Sequence, residues 1–246
     1  MHRVLLQALL IAASPLSAAQ PSAEVNFSYE QSAAETCLNG TVMPEWDREL
    51  RERLPEITSL WHELGPRMVQ AVAKVTGKQF TPKSKVTLTL CGTPSNSFFG
   101  ITVNMRYALR SFTSSPVPMR YKVDTAFHEM LHEFVSRALP STSSMLSAHS
   151  SEPACVRNHL HLLALQKAVL TAIGEASALE QVIAIDSLLP SGCYKRAWAI
   201  VNTPGVYQSL VAELAQLSSP GELHPQALPE PYVNLSIHTA PIVQSS

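Results

Sequence analysis

The segment His128-Glu129-Met130-Leu131-His132 combines two imidazoles and a carboxylate at a spacing suited to metal chemistry. On a helix, positions four apart lie on one face, so His128 and His132 can offer two nitrogen atoms to one cation. Glu129 beside them can accept a proton from a water molecule that the cation has polarised. Random placement of the 9 histidines and the glutamates along 246 residues would produce this pattern about 0.02 times. The segment therefore predicts a metal site with a general base next to it.

A third ligand has to come from outside this segment. Catalytic zinc sites usually use three protein ligands and leave a fourth position for water. The downstream residues with suitable donor atoms are Glu152, His159 and His161. His159 and His161 are two positions apart, about 200° around a helix, so at most one of them can reach the same metal. The residues alone leave the choice among the three open.

The motif and the predicted order of elements resemble the HExxH zinc metallopeptidases, the zincins. Within that group the chain resembles the gluzincin arrangement, in which strands precede the HExxH helix and a second helix carries the third ligand. The chain is also similar to an uncharacterised set of exported bacterial proteins. The segments that carry this second resemblance are IxxLWHELGPRM, ITVNMRYAL, HEMLHEF, NHLHLLALQKAVL and YKRAWAIVN.

The zincin resemblance implies an α+β, zincin-like fold in which a small sheet packs with a mostly helical remainder and the HExxH helix is central. It implies Zn²⁺ as the cofactor, His128 and His132 as ligands, and Glu129 as the base that activates the zinc-bound water. Because the gluzincin ligand typically lies near the start of the second helix, the resemblance favours His159 over His161. Three histidine ligands would depart from the gluzincin pattern.

Several other residues are candidates for supporting roles. Zincins often place a donor to the developing oxyanion after the metal-binding helices. The residues in that part of the chain are Tyr194, Arg196 and Tyr207. Asp124, one helical turn before His128, can accept a hydrogen bond from the second nitrogen of that imidazole. Asn104 and Arg106 are candidate substrate contacts, since zincin substrates commonly pair with the edge of a sheet.

Two strands and a long helix are predicted before the motif. Alternation of polar and apolar residues predicts strands at 85–90 and 101–105, separated by a loop of Gly, Pro, Ser and Asn. The second strand is expected to line the substrate cleft. Apolar residues at helical spacing predict a helix over 56–75, which Gly77 ends and which Pro55 divides from a shorter helix before it.

The motif and the candidate third ligands lie on two later helices. The motif falls in a predicted helix over 123–139, which Pro140 stops, and a serine-rich loop over 141–151 follows. The second predicted helix, over 153–173, carries the two candidate histidines. Shorter helices are predicted at 178–188, 194–201 and 206–217.

Residues 1–19 have the features of a cleavable secretory signal peptide. Arg3 precedes a short apolar run, and small residues lead to a cleavage site after Ala19. The apolar run is shorter than a membrane-spanning helix needs. We therefore expect a secreted or periplasmic protein with no stable membrane anchor after cleavage.

The four cysteines fit an exported protein. They are Cys37, Cys91, Cys155 and Cys193. In an oxidising compartment four cysteines can form two disulfides, in three alternative pairings. The sequence contains no CxxC motif, which argues against a zinc site built from cysteines. We favour Cys37 with Cys91 and Cys155 with Cys193, because each bond then joins neighbouring segments.

The net charge and the length of the chain limit the kinds of partner and the number of domains that we expect. The net charge is −1, and no Lys/Arg stripe alternates with aromatic residues, which argues against a nucleic-acid partner. The chain after the signal peptide suits one domain, over 20–217, followed by a Pro-rich tail over 218–246.

The sequence as a whole predicts a secreted zinc-dependent hydrolase, a metallopeptidase that acts on a peptide or protein substrate. The alternative is a secreted zinc-binding or interaction protein that holds the metal without hydrolysis. Glu129 distinguishes them, because a structural zinc site needs no adjacent base and usually closes its fourth position with a protein ligand.

Overall fold

The described part of the protein comprises residues 24–31, 36–37 and 40–216 of a computed structural model. Its main elements are seven α-helices, a three-stranded parallel sheet and a two-stranded antiparallel pair. The α+β class expected from the sequence is confirmed. The predicted signal peptide over 1–19 and the Pro-rich tail over 218–246 lie outside the described residues, so both stay predictions.

The sheet is small and its strands pair in parallel. Its strands, in spatial order, are β1 (Asn26–Ser28), β4 (Lys85–Thr89) and β5 (Ile101–Asn104), and β2 (Thr36–Cys37) and β3 (Gly40–Thr41) form a separate antiparallel pair. The two predicted strands are confirmed, each one residue shorter at its end. The first three strands were not predicted, because they are two or three residues long and show no clear alternation.

The first helix, α1 (Pro44–Thr76), is longer than predicted because Pro55 does not divide it. A proline inside a helix removes one backbone hydrogen bond and is unfavourable by about 3 kcal/mol. Buried apolar residues lie on both sides of Pro55, including Leu50 and Ile57, and continue along one face of the helix. Burial of this continuous face offsets the loss. Gly77 ends the helix in a left-handed conformation, as predicted.

The motif helix and the second ligand-bearing helix follow the sheet. Helix α2 (Met119–Ala138) begins four residues earlier than predicted, directly after Pro118. The serine-rich loop contains a short helix, α3 (Ser144–Ala148), whose first turn is capped by the side chain of Ser143. Helix α4 (Ala154–Ala172) then runs close to its predicted range.

Helix α4 lies at the centre of the helical part. It packs against α1, α2 and three later helices: α5 (Ala176–Asp186), α6 (Cys193–Val201) and α7 (Val206–Ala215). Neighbours on several sides explain why leucines occur almost all round α4, since nearly every one of them is buried. The central position also places two polar residues of α4, His161 and Gln166, inside the protein.

Both predicted disulfides are present. Cys37 bonds Cys91, which joins β2 to the segment after β4, and Cys155 bonds Cys193, which joins the first turns of α4 and α6. Two disulfides are consistent with an oxidising compartment. Among the described residues, none of the helices combines the length and apolar character that a membrane crossing requires.

Gly65 should resist replacement although it lies inside a helix. A Cβ atom at Gly65 would lie 2.5 Å from Cε2 of the buried Trp61, and Pro66 disfavours helical geometry for any preceding residue that has a Cβ. We expect Gly65→Ala to lower the free energy of unfolding by about 1–3 kcal/mol, despite the better helix propensity of alanine. Urea denaturation measures the change. Ser59→Ala, at an exposed position of α1, is the control, and a stabilised Gly65→Ala protein would contradict the packing.

Candidate metal centre

Three imidazoles from two helices meet beside the α2–α4 contact. Helix α2 contributes His128 and His132, and α4 contributes His159. One nitrogen atom from each of the three lies within 4.8 Å of the corresponding atoms of the other two. The ring centroids are 5.1 Å apart between His128 and His132, 5.6 Å between His128 and His159, and 5.4 Å between His132 and His159. These three residues can hold a metal ion.

The arrangement fits a cation with three protein ligands. Three nitrogens on a tetrahedral zinc ion, each about 2.0–2.1 Å from the metal, lie about 3.4 Å from one another. The imidazoles would therefore have to approach by at most about 1.4 Å, which side-chain rotation can supply. Among the described residues this is the sole group of three or more histidines, cysteines or acids that meets the spacing.

Hydrogen bonds orient two of the imidazoles towards the centre. The Nδ1 atom of His128 lies 3.1 Å from the amide oxygen of Gln166, and Nδ1 of His159 lies 2.6 Å from the carbonyl oxygen of Cys155. Both partners accept hydrogen bonds, so both imidazoles carry their proton on Nδ1. In each ring Nε2 then carries a lone pair that a metal can bind, and in His128 this lone pair accepts a hydrogen bond from the hydroxyl of Tyr194.

Burial keeps the three imidazoles neutral. Desolvation is the largest cause that lowers the pKa of all three, well below the ordinary value for His128, to about 4 for His132, and below 6.5 for His159. The neighbouring histidines lower the pKa of His128 further. Neutral imidazoles are the form that binds metals, so the site needs no deprotonation near neutral pH.

Glu129 is buried next to these ligands. Its exposed fraction is 5%, and one carboxylate oxygen lies 3.9 Å from Nε2 of His132. Burial raises the pKa of Glu129 to about 8, since no positive charge compensates for the lost hydration. A nearby cation would lower this pKa and leave a carboxylate that exchanges protons near neutral pH.

Tyr194 is the one predicted oxyanion candidate that reaches the centre. Its hydroxyl lies 3.3 Å from Nε2 of His128, and its ring centroid is 4.6 Å from that of His159. Arg196 instead makes an ion pair with Glu152, and Tyr207 packs against the ammonium of a lysine. Of these three predicted candidates, only Tyr194 has a group positioned to donate a hydrogen bond at the metal centre.

The disulfide between Cys155 and Cys193 braces this arrangement from two sides. Cys155 supplies the carbonyl that orients His159 one turn later on α4, and Cys193 directly precedes Tyr194 on α6. The covalent bond therefore connects the backbone that supports one imidazole to the backbone that carries the tyrosine.

The structure does not bring the other two candidate ligands to the centre. Nε2 of the buried His161 lies 2.8 Å from a carboxylate oxygen of Glu213. The two oxygens of this carboxylate also accept one hydrogen bond each from two serine hydroxyls. His161 faces away from His159 because two helical positions rotate a side chain by about 200°. Glu152 precedes α4, and both of its oxygens lie 3.2 Å from Nε of Arg196.

The predicted role of Asp124 is wrong, and Gln166 occupies that place. A carboxylate oxygen of Asp124 accepts a hydrogen bond from Nε of Arg120, one turn earlier on α2, rather than from His128. Gln166 was not singled out in the sequence. The available signal was a polar side chain inside the apolar stretch LHLLALQKAVL, seven positions after His159.

The two predicted substrate contacts, Asn104 at the end of β5 and Arg106 shortly after this strand, make hydrogen bonds within the protein instead. The amide of Asn104 donates to the carbonyls of Cys91 and a nearby threonine, and Nε of Arg106 donates to a carbonyl at the end of β4. The outer edge of β5 is partly covered, because Thr102 exchanges two backbone hydrogen bonds with Asn96. These residues stabilise the loop between β4 and β5.

Comparisons of this chain with known proteins find no relative whose site could be compared with this centre. The sequence matches no known protein-family model, and neither the curated proteins nor the solved structures contain a significant match to the chain. The resemblance to zincins thus rests on the motif and on the order of elements.

Replacement of His159 and of His161, one at a time, should show which of the two histidines binds the metal. We expect His159→Ala to weaken binding of Zn²⁺ by more than about 100-fold, because one of three ligands is lost. His161→Ala should keep the affinity but lower stability by about 1–3 kcal/mol, since Glu213 loses a buried partner. Competition with a chromophoric chelator and thermal unfolding measure the two effects. The reverse pattern would show that His161 is the ligand.

Between about pH 7.5 and about pH 5.5, metal affinity should fall far less than it would for exposed imidazoles, because burial lowers the pKa of all three histidines. Protons compete with a metal only below the pKa of the ligating imidazole, and the pKa of His132 is about 4. Three exposed imidazoles with the ordinary pKa of about 6.5 would together lose about a thousandfold in affinity over this range. Isothermal titration with Zn²⁺ at both pH values tests the difference. A loss close to that of exposed imidazoles would contradict a buried, neutral site.

Proposed function

We propose that this protein is an exported zinc-dependent hydrolase that cleaves peptide bonds. The observation that carries the proposal is the convergence of three neutral imidazoles on one point, with the buried carboxylate of Glu129 directly beside them. Imidazole ligands suit zinc, copper, iron and nickel, and three protein ligands with an open fourth position are typical of catalytic zinc. The two disulfides support export.

Zinc bound by these imidazoles would act as a Lewis acid that lowers the pKa of a coordinated water molecule towards 7. The carboxylate of Glu129 would accept a proton from that water at one oxygen and deliver it to the leaving nitrogen of the peptide bond. Burial raises the pKa of Glu129, which helps it to hold the proton, and the charge of the zinc ion would lower this pKa so that the carboxylate is available to accept the proton.

Tyr194 would bind the substrate carbonyl. Its hydroxyl lies at the centre, 3.3 Å from Nε2 of His128, and can turn to donate to an oxygen atom that gains negative charge during attack. The side chain of His132 is 31% exposed, whereas the exposed fraction of His128 is 5%. A substrate would therefore approach the centre from the His132 side.

Glu129→Gln should separate hydrolysis from metal binding. The amide keeps the shape of the side chain but cannot take up a proton, so peptide hydrolysis should fall by about 10²–10⁴-fold while zinc stoichiometry stays unchanged. Mass spectrometry of a broad peptide library and elemental analysis of the purified protein measure the two properties.

Glu133→Gln is the matched control. Glu133 lies on the same helix one turn after Glu129, its side chain is 42% exposed, and it pairs with Lys83. This variant should keep full activity. Equal hydrolysis by the parent and Glu129→Gln would refute the role of Glu129. If the parent and both variants bind zinc but none of the three hydrolyses peptides, the non-hydrolytic zinc-binding protein is favoured.

A further inference from the structure

Gln166 is a buried amide in the centre of an apolar helix. Its exposed fraction is 1%, and leucine, alanine and valine make up most of α4 around it. A buried amide without hydrogen bonds would be unfavourable, because it would lose the hydrogen bonds that it makes with water in the unfolded chain. The amide oxygen lies 3.1 Å from Nδ1 of His128 on α2. The partner of Gln166 is therefore a side chain of the metal centre itself.

Helix α4 presents Gln166 and His159 on the same face. The two residues are seven positions apart, which is close to two helical turns, so both side chains point towards α2. His159 reaches the centre directly, and Gln166 reaches the far side of the His128 ring. One helix thus contributes both a candidate ligand and the hydrogen-bond acceptor for a candidate ligand on its neighbour.

The amide has one orientation that is compatible with metal binding. With the oxygen towards His128, Nδ1 carries the proton and Nε2 offers its lone pair to the centre. With the nitrogen towards His128, the amide would donate to Nδ1, the proton would move to Nε2, and no lone pair would face the other imidazoles. The structure has the first orientation.

We propose that Gln166 is the positioning residue of the metal centre, which sets the tautomer and the ring orientation of His128. The inference rests on the metal-binding part of the proposed function. Residues that hydrogen-bond to a metal-ligating histidine typically change metal affinity by 10–100-fold when they are replaced. Gln166 fills this role with a neutral side chain, so it adds no negative charge beside the imidazole.

Gln166→Met and Gln166→Glu test the proposal in the full-length protein. Methionine is similar in size but cannot accept a strong hydrogen bond, so Zn²⁺ affinity should fall by about 10–100-fold in chelator competition. Glutamate keeps an acceptor at the same place and should restore the affinity. Val182→Ala, a truncation in the core of α5, controls for loss of stability alone and should bind Zn²⁺ as the parent does.

A second measurement reports the tautomer directly. Nitrogen NMR of the metal-free protein should show His128 protonated on Nδ1 in the parent and in Gln166→Glu, and a mixture of tautomers in Gln166→Met. Unchanged affinity together with an unchanged tautomer in Gln166→Met would overturn the proposal. If the parent binds no Zn²⁺, the proposed function fails, and the His128 tautomer in the metal-free variants still decides the role of Gln166.

Discussion

The contact between α2 and α4 is the constraint on which the candidate site depends. Helix α2 alone can present two imidazoles four positions apart, but two ligands do not make a catalytic metal site. The packed neighbour supplies His159 and the amide that orients His128. Helix α4 can serve in this way because it is surrounded by other helices, which hold its face against α2.

Burial has two opposite electrostatic effects at this centre. It keeps the imidazoles neutral, because a charged ring would lose its hydration, and it raises the pKa of Glu129 for the same reason. A cation bound by the three imidazoles would stabilise the negative charge of Glu129 and so lower its pKa. The same packing therefore favours the neutral form of the three imidazoles and of the neighbouring carboxyl group.

The surrounding polar contacts hold the helices of the centre in place. The pair of His161 and Glu213 joins α4 to α7, and the serines before and within α3 complete the hydrogen bonds of that carboxylate. The disulfide between Cys155 and Cys193 joins α4 to α6 next to Tyr194. These residues lie outside the three-histidine cluster and join the elements that carry it, as residues that support a rigid site commonly do.

The sequence by itself determined the features that depend on local spacing: the helix with His128 and His132 on one face, the strands β4 and β5, and the second helix. These follow from periodicity, which needs no knowledge of neighbours. Only the tertiary structure placed His159 rather than His161 beside the two motif histidines, placed Gln166 rather than Asp124 beside His128, and carried α1 through Pro55. An almost uniformly apolar helix such as α4 has no face that the sequence distinguishes, so the direction of each polar side chain depends on which neighbour packs against it.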